Sequence, residues 1–76
     1  MTVTIYTRTT CAPCQTLKYW LNQKKVAFSE KDVDADPSLE QEIFKKSGYL
    51  MVPMIEVGDK VISGLNLPLI SKALML

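Results

Sequence analysis

Hydrophobic and polar positions change their spacing several times along this chain, and each change marks an element. Thr2-Val3-Thr4-Ile5-Tyr6 alternates and is rich in β-branched side chains, which predicts a strand. Thr7 to Cys14 reads as a loop entering a helix. From Pro13 the period lengthens: Cys14, Leu17 and Leu21 recur at helical spacing, with Lys18, Asn22 and Lys25 on other faces. The helix is expected to end near Lys24 or Lys25, where basic side chains suit the negative end of its dipole. Val26 to Asp32 returns to partial alternation and predicts a second strand.

Asp36 followed by Pro37 is a helix-start signal, with the aspartate as N-cap and the proline at the first helical position. Leu39, Ile43 and Phe44 would face the core of that helix. Glu42 and Lys46 form a favourable i, i+4 pair, and Gly48 suits a C-terminal cap. Pro53 to Val57 predicts a third strand, Gly58-Asp59 a two-residue turn, and Lys60 to Ser63 a fourth strand. Gly64 breaks that strand, Asn66 can cap, and Leu67, Ile70 and Leu74 give a short last helix. The order is β-α-β-α-β-β-α. A right-handed first crossover and an antiparallel final hairpin then predict an α/β fold, a four-stranded mixed sheet with helices on both faces. No repeat or linker interrupts residues 1–76, so one domain is expected.

Composition narrows the function. The chain has 76 residues, 47% of them hydrophobic, and a domain of this size has only a thin core to rely on. Its formal net charge is +1, from nine basic and eight acidic side chains mixed along the chain. There is no basic stripe for a phosphate backbone, which argues against nucleic acid as a partner. No apolar run of ~18 residues is present, so no membrane span is expected. The N-terminus begins at once with a strand pattern and lacks a signal-peptide layout, which points to a cytoplasmic protein. Its two cysteines lie three residues apart. In a reducing compartment such a pair is more often catalytic or metal-binding than structural.

The chemistry therefore centres on Cys11-Ala12-Pro13-Cys14, placed where a strand gives way to a helix. The first turn of a helix exposes unpaired N–H groups and the positive end of the macrodipole, which favour a thiolate at Cys11. Cys14, one turn further in, would be more buried. Cys11 could then attack a target disulfide, and Cys14 could resolve the mixed disulfide by attacking Cys11. A purely structural bridge is disfavoured, because so short a loop removes little unfolded-state entropy. Zinc would need two further ligands, yet the chain has no His and no third Cys. A metal or cluster held by Cys11 from two chains stays open as a binding-module alternative.

Other positions carry weaker signals. Pro53 cannot donate to a sheet ladder, which suits a strand beginning, and residue statistics alone favour an ordinary trans bond. Arg8 lies three residues before Cys11, where its charge could favour the thiolate or simply be solvated. Tyr6 is expected partly in the core with its hydroxyl toward the dithiol, Trp20 packed on the first helix and Met54 in the core. Leu50 and Met51 could form an exposed apolar rim.

Tyr6-Thr7-Arg8-Thr9-Thr10-Cys11-Ala12-Pro13-Cys14 resembles the active-site segment of glutaredoxins. Gly48-Tyr49-Leu50-Met51-Val52-Pro53 is similar to their cis-proline segment, and Ser63-Gly64 falls at their glycine turn. The resemblance covers nearly the whole chain in the right order. It is nearest, at Tyr6 to Arg8, Gly48-Tyr49 and Ile62-Ser63-Gly64, to the short NrdH-type redoxins, which feed electrons to ribonucleotide reductase. What it implies is a thioredoxin fold, Cys11 as nucleophile, Cys14 as resolving thiol and Pro53 in the cis form. Val52 would offer its backbone to a bound peptide or to glutathione, with Arg8 and Gly64 completing that site. The implied activity is a monomeric reductase of protein disulfides or glutathione mixed disulfides. No cofactor would be tightly bound, and the reductant would be glutathione or a thioredoxin reductase. The competing implication is a dimer holding an iron–sulfur cluster through Cys11, with glutathione or metal. Three features depart from the patterns. Ala-Pro replaces the usual Pro-Tyr between the cysteines, and Ser63-Gly64-Leu65-Asn66 replaces a Gly-Gly followed by an acidic residue. Ile62 and Leu65 stand where NrdH-type redoxins carry aromatics.

Overall fold

Strand alternation divides the interior into two cores. In the computed structural model, which describes residues 2–76, β1 (Val3–Thr7) sends Val3 and Ile5 to one face of the sheet and Tyr6 to the other. β2 (Ser29–Asp32) pairs parallel with β1, while β3 (Met54–Val57) and β4 (Lys60–Ser63) continue the sheet antiparallel, in the order β2-β1-β3-β4. Helix α1 (Ala12–Gln23) packs Leu17 and Leu21, and α3 (Leu67–Ala73) packs Ile70 and Ala73, against Val3, Ile5, Ile55, Val57 and Ile62. Helix α2 (Leu39–Ser47) covers the opposite face, where Ile43 meets Tyr6, Val33 and Met54. The expected β-α-β-α-β-β-α order and the helices on both faces are thus present. Each fully buried leucine contributes about 1.5–3 kcal/mol of transfer free energy. Among the described residues, no helix is long and apolar enough to cross a membrane.

Helix ends differ from the sequence expectation in instructive ways. Helix α1 stops at Gln23. Lys25 N–H bonds Asn22 O at 3.1 Å and Val26 N–H bonds Leu21 O at 3.0 Å, a closing pair that puts Lys25 at φ 58. Because Val26 is used in that closure, β2 begins at Ser29 rather than Val26, and Val26 and Phe28 pack on the core from the connection. Helix α2 begins at Leu39, later than the Asp36-Pro37 signal. Leu39 N–H reaches Asp36 O and Glu40 N–H reaches Pro37 O, so a tight three-residue turn leads into the helix. Asp36 Oδ1 still serves that turn by accepting from the Ser38 N–H and hydroxyl, at 3.2 and 2.6 Å.

Phe44 is 56% exposed rather than in the core. The sheet-facing stripe of α2 is Leu39 and Ile43, four residues apart, and the next residue is turned about 100° away. The expected Glu42–Lys46 pair forms at 3.3 Å, and Gly48, at φ 82, closes the helix by donating to Phe44 O at 2.8 Å. Asn66 Oδ1 caps α3 by accepting from Leu69 N–H at 3.2 Å.

Candidate active site

The end of β1 and the start of β3 lie side by side, because Tyr6 pairs with Met54. Residues that follow Tyr6 and residues that precede Met54 therefore meet at one end of the sheet. Ser63, at the end of β4, pairs with Met54 and joins them there. The loop 8–11, the Val52-Pro53 segment and Gly64 converge at this edge.

Cys11 is the N-cap of α1, with extended backbone at φ −124 and ψ 106. Its carbonyl accepts the first helical bond, from Gln15 N–H at 3.1 Å, and its Sγ accepts the N–H of Cys14 at 3.2 Å. The two cysteines are joined by a disulfide, with Cα atoms 5.2 Å apart, a separation ordinary for such a bond. No acidic side chain occupies the first turn of α1 to oppose a thiolate. Cys14 is wholly buried, whereas Cys11 is half-buried and flanked by exposed Thr10, Ala12 and Pro13. Cys11 is thus the more accessible residue of the pair.

The Val52–Pro53 peptide bond is cis. Pro53 is buried, and its carbonyl accepts the Gly64 N–H at 2.8 Å, which ties the strand start to the glycine turn. Gly64 sits at φ 82, and a Cβ there would lie 3.3 Å from Met51 Sδ. Within the described residues the backbone of Val52 makes no hydrogen bond, so its N–H and C=O are available to an incoming chain. Leu50 and Met51 beside it are exposed, and Met54 is in the core.

Arg8 is the site residue whose surroundings differ most from a free cation. Its guanidinium donates from Nη1 to Asp34 Oδ1 and from Nη2 to Glu40 Oε2, both at 3.0 Å. Asp34 Oδ2 also accepts the Thr9 N–H at 2.8 Å, and that backbone bond is the main reason its carboxyl is held below the usual range. The bond it donates to Asp34 holds the Arg8 guanidinium above its own usual range. Asp32 completes the set, accepting from Thr9 Oγ1 at 3.1 Å and from Asp34 N–H at 2.9 Å. Sequence reasoning missed the partners of Arg8, which lie 26 and 32 residues along the chain.

Tyr6 corrects a second expectation. Its hydroxyl does not point toward the dithiol but donates to Glu42 Oε1 at 2.7 Å and accepts from Lys46 Nζ at 3.0 Å. The pleat explains this: Ile5 faces α1, so its neighbour must face α2. Trp20 packs against the α1 core with Lys24 Nζ 5.8 Å from its ring centre. Asn66 is committed to the cap of α3. Among the described residues, no group of three or more His, Cys, Asp or Glu side chains could hold a metal ion.

Comparison with known proteins gives a consistent picture. The glutaredoxin family model matches residues 3–62. The glutaredoxin-like protein NrdH of Lactococcus lactis subsp. cremoris is 31% identical over 62 residues, covering 82% of this chain and 85% of the relative. Glutaredoxin 3 of Escherichia coli is 37% identical over 62 residues, covering 82% of this chain and 75% of the relative. An Escherichia coli NrdH-redoxin, a glutaredoxin-like protein with a thioredoxin-like activity profile, superposes with a TM-score of 0.82 at 29% identity. That superposition covers 95% of this chain and 93% of the other.

Proposed function

This chain belongs to the glutaredoxin family of thiol–disulfide oxidoreductases, and from that membership we propose that it reduces protein disulfides through Cys11 and Cys14, drawing electrons from a thioredoxin reductase. The observation that carries the reading is the asymmetry of the pair. Cys11 is accessible at the N-cap and Cys14 is buried one turn behind it.

That asymmetry orders the reaction. In the reduced protein the Cys11 thiolate attacks a substrate sulfur, the substrate S–S bond breaks, and one substrate thiolate leaves. Cys14 loses its proton and attacks the Cys11 sulfur, releasing the second substrate thiolate and forming the Cys11–Cys14 bond. Two electrons pass from the dithiol to the substrate. The Cys14 N–H and the helix N-terminus stabilise negative charge on Cys11 while it waits and each time it leaves. Val52 would pair through its free backbone groups with an extended segment of the substrate, over Pro53 and beside Gly64.

The choice of reductant rests on two engaged side chains. Arg8 is taken by Asp34 and Glu40, and Asn66 caps α3. The carboxylate and amine of glutathione would therefore find their nearest partners occupied. A cytoplasmic electron carrier serving a ribonucleotide reductase is the corresponding role. The test is NADPH oxidation with a disulfide substrate in two couplings, one with thioredoxin reductase and one with glutathione and glutathione reductase. Turnover in the first is expected. Turnover in the second alone would overturn the choice of reductant, and silence in both would overturn the activity.

A further inference from the structure

We propose that the ion pairs of Arg8 with Asp34 and Glu40 form a charge filter beside Cys11, which disfavours anionic disulfides and admits neutral and cationic ones. The inference rests on the disulfide-reductase reading above. Arg8 is three residues from Cys11, so at most about 11 Å of chain separates their Cα atoms. Its two guanidinium nitrogens are each bonded to a carboxylate at 3.0 Å, and Asp32 joins the same loop through Thr9 and Asp34. Two carboxylates thus hold the guanidinium, and a third, Asp32, is bonded to the same loop that leads to Cys11. The cation that could greet a substrate carboxylate is already satisfied from within, and the excess charge is negative. Thr9 N–H stabilises the Asp34 carboxylate and Asp34 stabilises the guanidinium, so neither charge is lost near neutral pH.

Geometry also sets how such a filter would behave. The pairs are partly exposed, so the field reaches the approaching ligand through water and is screened over about 10 Å at 0.1 M salt. It therefore acts on the encounter of a charged disulfide with Cys11, not on the chemical exchange after contact. Glu40 touches the loop through Arg8 alone among its polar contacts, whereas Asp34 also holds the Thr9 backbone. Glu40→Gln accordingly alters the charge with the least disturbance of the loop.

The experiment mixes the fully reduced chain with three small disulfides: hydroxyethyl disulfide (neutral), cystamine (cationic) and oxidised glutathione (anionic). Rates of disulfide consumption are followed at low and high salt and divided by the rate with the neutral disulfide. The wild type is expected to favour cystamine over oxidised glutathione at low salt. Glu40→Gln, and more so the pair Asp34→Asn with Glu40→Gln, should shift that ratio toward oxidised glutathione by about 3–10-fold, with high salt erasing the shift. Adding Arg8→Gln to the double variant should move the ratio part of the way back, to about that of Glu40→Gln alone, which a merely structural role of the carboxylates would not produce. A ratio within two-fold of wild type in both carboxylate variants, or no return toward wild type on adding Arg8→Gln, overturns the filter. A wild type that reduces none of the three disulfides overturns the reductase reading and the filter with it.

Discussion

The sulfur of Cys11 accepts a hydrogen bond from the backbone N–H of Cys14 at 3.2 Å, so each cysteine serves the other by a different atom. In the proposed reaction Cys14 would stabilise charge on Cys11 through its amide and attack the Cys11 sulfur through its thiolate, giving up electrons as the disulfide forms. This separates the two roles in mutants. Cys11→Ser is expected to abolish disulfide reduction. Cys14→Ser keeps the amide donor, so Cys11 should still form mixed disulfides that are no longer resolved. Thiol alkylation of the reduced wild type followed by peptide mapping checks the order. Labelling of Cys14 ahead of Cys11 would show the roles to be exchanged.

Behind the sheet, Tyr6, Glu42 and Lys46 form a hydrogen-bonded network centred on the Glu42 carboxylate. The bond from the Tyr6 hydroxyl, followed by those from Lys31 and Lys46, lowers the Glu42 carboxyl from 4.5 to about 2. A depressed carboxylate adds stability that is present above the unfolded value and lost as pH falls through the folded one. Stability should therefore decline between about pH 4.5 and pH 2, by roughly 1–2 kcal/mol from this group, since Glu42 keeps a third of its surface in water. Tyr6→Phe should cost about 1–2 kcal/mol at pH 7 and less at pH 2, measured by urea unfolding. An equal cost at both pH values would mean that the hydroxyl acts independently of the carboxylate.

Lys25 offers a change in the opposite direction. It closes α1 at φ 58, a region that costs a side chain about 1 kcal/mol and costs glycine almost nothing. Lys25→Gly should stabilise the fold by about 0.5 kcal/mol after the added unfolded-state freedom of glycine is subtracted, and should leave disulfide reduction unchanged. A loss of stability would mean that the lysine side chain contributes more than its backbone strain removes.

The difference between what could be read from the sequence and what could not follows from range. Cys11 at the start of α1, Gly48 as helix stop, the Gly58-Asp59 turn and Asn66 as cap all depend on neighbours within a few residues, and all are legible. The partners of Arg8 lie 26 and 32 residues away, and Glu42 lies 36 residues from Tyr6. Those contacts depend on how β2 and α2 dock onto β1, which periodicity does not specify. Phe44 shows the same limit on a smaller scale. A helix stripe of two adjacent apolar residues, Ile43 and Phe44, does not reveal which one the sheet receives. The Arg8 expectation was incomplete for this reason, since the residue was in view and its occupants were not.

Gly64 brings a backbone requirement and a side-chain contact to the same point, and a double-mutant cycle separates them. Its φ of 82 is costly for any other residue, by about 1 kcal/mol, and an added Cβ would press on Met51 Sδ at 3.3 Å. Met51 is 48% exposed, so its terminal sulfur can swing into solvent and relieve the contact. The backbone cost should then dominate. Gly64→Ala is expected to lose about 1–2 kcal/mol of stability and to slow reduction of a protein disulfide, because the Gly64 N–H holds the Pro53 carbonyl beside the redox pair. Met51→Ala alone should cost little, and in the Gly64→Ala background it should restore neither stability nor rate. If Met51→Ala instead recovered most of both, the 3.3 Å contact would be the controlling one, and the glycine would be required for space and not for its left-handed backbone.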